Sequence, residues 1–160
     1  MVKRRFLTAG EGEFLALTEE QIEWRLDRGL GYFRRVVPRD IPAGFVAPAW
    51  LYNKQLVPAL RKRLIPWTED HYGLVRVQGG QRLRVPVITW ATRTRGRRIG
   101  SLLVCPLQLH CWFRRPLIRI AVHPFDFDYT ETIRSIEYVV RRALETRKSL
   151  TYQELIYDTP

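Results

Sequence analysis

Apolar positions along this chain recur with two spacings, and the spacing changes wherever prolines and glycines fall. The first clear element opens at Thr18, whose hydroxyl can cap unpaired backbone N–H groups while Gln21, three residues on, completes a capping box. Ile22, Leu26, Leu30 and Phe33 follow at helical spacing, which predicts an amphipathic helix of about 15 to 18 residues ending before Pro38. Pro38-Arg39-Asp40-Ile41-Pro42 reads as a turn. Gly44-Phe45-Val46-Ala47 is then a short apolar run of the kind a buried parallel strand shows, stopped by Pro48.

A second helix is expected after Asn53, with Leu56, Leu60 and Leu64 in register and Arg61-Lys62-Arg63 near its C-terminus, where cations suit the helix dipole. Pro66 stops it. Leu74–Val77 and Leu83–Ile88 read as two strands of a hairpin turning on Gly79-Gly80, with Pro86 an awkward residue inside the second strand. Between Arg93 and Arg115 the pattern is poor, with a helix around Ser101 to Trp112 that Pro106 would interrupt. Leu117–Val122 is the best strand in the chain, ending abruptly at His123-Pro124. Thr130 is read as the cap of a long helix bearing Ile133, Ile136, Val140 and Leu144, and a short helix over Gln153–Ile156 closes the chain. This succession is the alternation of an α/β protein with parallel strands and covering helices. It holds too few strands to close an eight-stranded barrel, which typically takes about 250 residues.

Composition narrows the picture. With 160 residues, 46% of them hydrophobic and 12% aromatic, the chain can bury a real core, and a single domain over 1–160 is expected. No apolar run approaches the length of a membrane span, and the basic start Met1–Phe6 has no apolar stretch behind it as a secretory signal would. A cytoplasmic location with no membrane contact follows as the expectation. Cys105 and Cys111 stand in no metal-ligand pattern and read as reduced, buried thiols. The net charge of +11 lies in short arginine clusters between apolar segments. No recognition-helix, zinc-finger or RNA-binding signature accompanies them, so a solvated basic surface is favoured over a dedicated nucleic-acid site.

Reactive residues in α/β folds collect at the C-terminal ends of strands. Two places qualify. Phe45–Trp50 runs a strand into a proline and presents a large aromatic, and Ile120–Asp126 ends a strand on His123 with the Asp126 carboxylate three residues on. An imidazole there can act as general acid or base, oriented by a nearby carboxylate, and it can equally serve structure alone. Trp50 reads as core or as a sugar platform. His71 and His110 have no ligand spacing and read as surface or structural residues.

Glu13-Phe14-Leu15, Gly44–Trp50, Trp67-Thr68-Glu69-Asp70, Ile88-Thr89-Trp90 and Arg119–Asp126, taken in order and spacing, resemble a branch of the polysaccharide deacetylase-like family over nearly the whole chain. The resemblance implies an incomplete (β/α) barrel that removes acetyl groups from N-acetylated sugars. In that family a divalent metal, commonly zinc, is held by an aspartate and two histidines, and a second aspartate serves as base. A late strand-end histidine protonates the leaving amine. His123 matches that position, with Asp126 in its supporting shell, and Pro48 with Trp50 stands where the family's arg-pro-pro-tyr motif shapes the site wall, though the arginine is missing. The asp-asp pair and the his-x-x-x-his motif of the family lie upstream of the Glu13 region, and the three histidines here, 71, 110 and 123, do not replace them. The resemblance therefore implies an N-terminally truncated barrel with no metal ligands of its own, taking zinc only if the missing segment is supplied. A barrel lacking its first strands exposes a sheet edge, which favours a complementing N-terminal chain or a homo-oligomer. A polyanion-binding protein and an inactive remnant are the other readings.

Overall fold

The computed structural model describes residues 13–38 and 41–157. The basic start and the middle of the turn expected at 38–42 lie outside them. The chain forms two compact units, Met1–Arg84 and Val85–Pro160, both of mixed α/β structure. Neither sheet closes on itself: one has four strands and the other two.

In the first unit a short helix α1 (Glu13–Ala16) precedes α2 (Glu19–Val36). The capping box forms as the sequence predicts: Gln21 N–H donates to Thr18 Oγ1 at 3.3 Å and Thr18 N–H to Gln21 Oε1 at 3.0 Å. The apolar stripe of α2, Ile22, Leu26 and Leu30, is buried against Leu56, Ala59 and Leu60 of α3 (Leu56–Lys62) together with Ala47, Ile65 and Val77. The polar faces of the two helices are tied by Arg63, which donates from Nε and Nη2 to both oxygens of Asp27 at 2.7 Å and holds that carboxyl below its ordinary range. Strand β1 (Phe45–Val46) runs parallel to β2 (Trp67–Asp70), with Val46 level with Glu69, so β1–α3–β2 is a βαβ unit.

Strand β2 has no apolar alternation to announce it, and its existence follows from its place between two partners. It pairs antiparallel with β3 (Gly73–Arg76), which pairs with β4 (Arg82–Arg84). Asp70 makes the first turn by accepting from Tyr72 N–H at 2.8 Å and Gly73 N–H at 3.1 Å. Gly80, at φ 69°, serves the second turn, as its sequence position predicts.

Leu64 corrects an expectation. It does not join the apolar face of α3 but sits just past its end at φ 56°, 63% exposed. Its N–H donates to Arg61 C=O and the next N–H, from Ile65, to Leu60 C=O, both at 3.1 Å, which is the Schellman pattern that glycine normally occupies. Leu64→Gly removes left-handed strain and gives up little burial. It is expected to stabilise the chain by about 1 kcal/mol in urea unfolding.

In the second unit β5 (Val87–Thr89), α4 (Arg95–Cys111) and β6 (Arg119–Ala121) form another βαβ arrangement, with Ile88 level with Ile120. The single strand expected over Leu83–Ile88 is thus two. Pro86 has no N–H for a ladder, so the strand breaks there, and its carbonyl instead accepts from Arg119 N–H at 2.8 Å at the head of the β5–β6 pair. Helix α4 begins earlier than its apolar pattern suggests, because Thr94 caps it by accepting from Arg97 N–H at 3.3 Å. It also runs through Pro106, which its packing tolerates: Cys105 and Leu109 are buried with Ile88 and Trp90. Arg147 closes the far end by donating to the carbonyls of Trp112 and Phe113 at 2.9 Å.

A 3-10 turn (Pro124–Asp128) leads to α5 (Thr130–Leu144), and α6 (Tyr152–Tyr157) ends the described residues. Thr130 is the first residue of α5 and not its cap, which is Tyr129. The buried face of α5 is Thr132, Ile136, Val139 and Ala143, so Leu144 is half exposed where burial was expected. Of the two thiols only Cys105 is buried, and Cys111, at the last turn of α4, is exposed. Among the described residues no helix is long and apolar enough to cross a membrane.

Candidate functional site

Both strand-end sequences singled out above fold into built structures, one in each unit. In the second unit β6 delivers the chain to His123, where Pro124 at the first turn position starts a tight 3-10 turn. Asp126 folds back beneath this turn and is fully buried. Its Oδ2 accepts from His123 N–H and its Oδ1 from the Thr92 hydroxyl, each at 2.8 Å. Thr92, itself buried, lies just past β5, so one carboxylate ties the exit of β5 to the exit of β6. Asp126 N–H in turn donates to His123 C=O at 2.8 Å.

The imidazole of His123 is exposed, unlike the carboxylate that braces its backbone. Phe125 N–H donates to Nδ1 at 3.3 Å, which places the neutral ring's proton on Nε2. The Phe125 ring stacks on the imidazole at 5.1 Å between centroids and 24° between planes. Asp126 therefore does not hydrogen-bond the imidazole itself; it fixes the peptide from which the ring projects. Cys105 lies close to this carboxylate, and burial first, with the Asp126 charge second, pushes its thiol up to about 11. Such a thiol keeps its proton at neutral pH and is no nucleophile.

In the first unit Pro48, Ala49 and Trp50 form a 3-10 turn after β1. Ala49 and Trp50 both adopt left-handed backbone, at φ 54° and 56°, a conformation that costs non-glycine residues of order 1 kcal/mol each. The turn is held by Trp50 N–H donating to Ala47 C=O at 2.9 Å. The half-buried indole donates its Nε1–H to Glu69 Oε1 at 2.8 Å, and Glu69 is buried at the end of β2. The His71 ring meets the indole edge-on at 6.0 Å. Pro48 is exposed beside this group.

Glu69 enters the sequence reading only within Trp67-Thr68-Glu69-Asp70, with no role of its own, and Thr92 does not enter it. Glu69 could have been found from the pairing of a strand-end tryptophan with a carboxylate at the end of the next parallel strand. Thr92, a loop residue among arginines, carries no such signal. His110 is exposed near the end of α4, away from any ligand group. Among the described residues no three His, Cys, Asp or Glu side chains converge on a point where a metal ion could sit.

No family model, curated protein or solved structure matches this chain.

Proposed function

We propose that the chain is the C-terminal part of a polysaccharide deacetylase-like (β/α) barrel and contributes the general acid for hydrolysis of N-acetyl groups on sugars. The observation that carries this reading is the exit of β6, where a fully buried Asp126 braces the peptide under an exposed His123. The two βαβ arrangements support it, because successive parallel strands joined by helices are the unit from which such barrels are built.

In amide hydrolysis water adds to the acetyl carbonyl, the C–N bond breaks, acetate departs and the amine nitrogen must gain a proton. His123 supplies that proton from Nε2 as the singly charged imidazolium, which is protonated on both nitrogens and returns to the neutral ring; only in the neutral ring can Nδ1 accept from Phe125 N–H. The resemblance assigns Pro48 and Trp50, in the first unit, to contact with the sugar. Among the described residues no group of His, Cys, Asp or Glu side chains could hold a catalytic divalent metal. Zinc and the base that activates water belong, in this reading, to a complementing N-terminal chain that carries asp-asp and his-x-x-x-his motifs.

The arginine clusters support a polyanion-binding reading less well, since several guanidinium groups already serve the fold. Arg63 pairs with Asp27, Arg147 caps α4, and Arg98 lies over the Tyr129 ring at 3.8 Å.

The test is reconstitution. Mixed with zinc and a separately produced chain bearing the two metal-binding motifs, the protein should release acetate from N-acetylglucosamine oligomers, and neither chain should do so alone. Failure to gain activity over the complementing chain by itself would remove the deacetylase reading.

A further inference from the structure

Helix α4 is apolar on two sides. On one side Cys105 and Leu109 are buried with Ile88, Trp90 and the α5 residues Ile136, Val139 and Ala143. At about 100° per residue, Leu103 and Leu107 fall on the opposite side, with Ile99 and Val104 next to them. These side chains are open to solvent: Leu103 is 72% exposed, Leu107 60%, Ile99 50% and Val104 47%. Phe113, just past the helix, is exposed as well. A helix with apolar side chains all round ordinarily lies inside a protein, and an exposed apolar stripe of this kind marks a surface that meets something else.

The charge around the stripe says what that is. Arg93, Arg95, Arg97 and Arg98 stand at one end of α4 and Arg114 and Arg115 at the other, and no carboxylate lies anywhere between Arg93 and Arg115. Arg98 is turned to Glu131 and the Tyr129 ring, whereas Arg95, Arg114 and Arg115 are exposed. A second copy of this helix, laid parallel or antiparallel, would set arginine against arginine at both ends. Nucleic acid would take the arginines and leave the leucines in water. A membrane surface rich in anionic phospholipid suits both features, because its phosphates receive guanidinium groups while the boundary of the acyl chains takes the apolar side chains. The net charge of +11 adds to the attraction. The expectation of no membrane contact rested on the lack of a spanning run, which a helix lying in the headgroup plane does not need.

We propose that the exposed face of α4, Ile99, Leu103, Val104 and Leu107 with the arginines at its two ends, seats the protein on an anionic membrane surface. This seat is independent of the deacetylase reading.

The test is sedimentation of the whole chain with vesicles of phosphatidylcholine alone and of phosphatidylcholine mixed equally with phosphatidylglycerol. The protein should bind the mixed vesicles and leave the neutral ones. Leu103→Gln combined with Leu107→Gln changes two exposed positions, and it should weaken binding about tenfold or more without lowering the melting temperature. Arg114→Gln with Arg115→Gln should weaken it about tenfold. Val36→Gln, at an apolar position of α2 that is 81% exposed, should leave binding unchanged. Location is read separately. Cys105 is buried and Cys111 is exposed at the last turn of α4, so a polarity-sensitive thiol probe labels Cys111. Its emission should shift to the blue on mixed vesicles and be quenched by nitroxide-bearing lipid.

No binding to the mixed vesicles overturns the proposal. Binding that persists in the double leucine variant and disappears at high salt is attraction to the basic surface in general, and it overturns α4 as the seat. A Cys111 probe that stays unchanged while the protein sediments with vesicles does the same without any variant. A parent protein that is dimeric in solution and becomes monomeric with Leu103→Gln and Leu107→Gln gives this face to a second copy and overturns the membrane seat.

Discussion

Replacing Asp126 by alanine is expected to destabilise the protein by about 3 kcal/mol, the largest single loss we anticipate outside the apolar cores. The side chain is fully buried and accepts two hydrogen bonds at 2.8 Å, from the His123 amide and the Thr92 hydroxyl. Bonds to a charged acceptor contribute about 1.5–3 kcal/mol each, and their removal strands two donors with little access to water. Alanine also leaves a small void, which adds to the loss. Asp126→Asn should cost about half as much, since one amide oxygen can keep one donor while the hydroxyl of Thr92 turns to accept from the amide nitrogen. Urea unfolding followed by circular dichroism gives the totals, and hydrogen exchange at the His123 amide localises them. A loss under about 1 kcal/mol, with that amide still protected, would mean that the carboxylate does not hold the turn.

The same site shows how far the sequence could be read. Strand β6 was legible because Leu117–Val122 is apolar at every position but Arg119 and stops at His123-Pro124; the strand itself is shorter, Arg119–Ala121, and His123 follows two residues past its end. The bracing role of Asp126 was legible only as a spacing of three residues. Its actual partner, the His123 peptide and not the imidazole, depends on the backbone path of the 3-10 turn. Thr92 was hidden because it is distant in sequence and lies in an arginine-rich stretch with no periodicity.

Helix α2 was read almost to its ends, since cap, stripe and stop all agree locally. Helix α4 was not. Its start depends on the Thr94 cap rather than on an apolar stripe, and Pro106 argued against a continuity that packing of Cys105 and Leu109 restores. Strand β2 was missed for a related reason. Thr68 and Glu69 are buried polar residues, so the segment lacks the apolar pattern by which strands are recognised. Buried Glu69 accepts from the Trp50 indole at 2.8 Å, so the carboxylate that meets this tryptophan is one of the residues that concealed the strand.

If His123 is the acid that protonates the departing amine, His123→Ala in the reconstituted system should lower kcat by about 10²–10⁴-fold with little change in sugar affinity. A rate loss alone would not separate an acid from a residue that shapes the loop. The separation comes from the leaving group. An acetylated sugar amine is a strongly basic leaving group and needs its proton as the C–N bond breaks, whereas an acetanilide bearing an electron-withdrawing substituent leaves with far less help. The defect of His123→Ala should therefore shrink by about tenfold or more on the activated anilide. Phe125→Ala offers the contrast, because it removes only the ring stacked on the imidazole at 5.1 Å and leaves the proton donor in place. Its loss should be smaller and the same for both substrates. Equal losses for His123→Ala on sugar and anilide would assign the imidazole to loop structure, and an unchanged rate on the sugar would remove it from the chemistry.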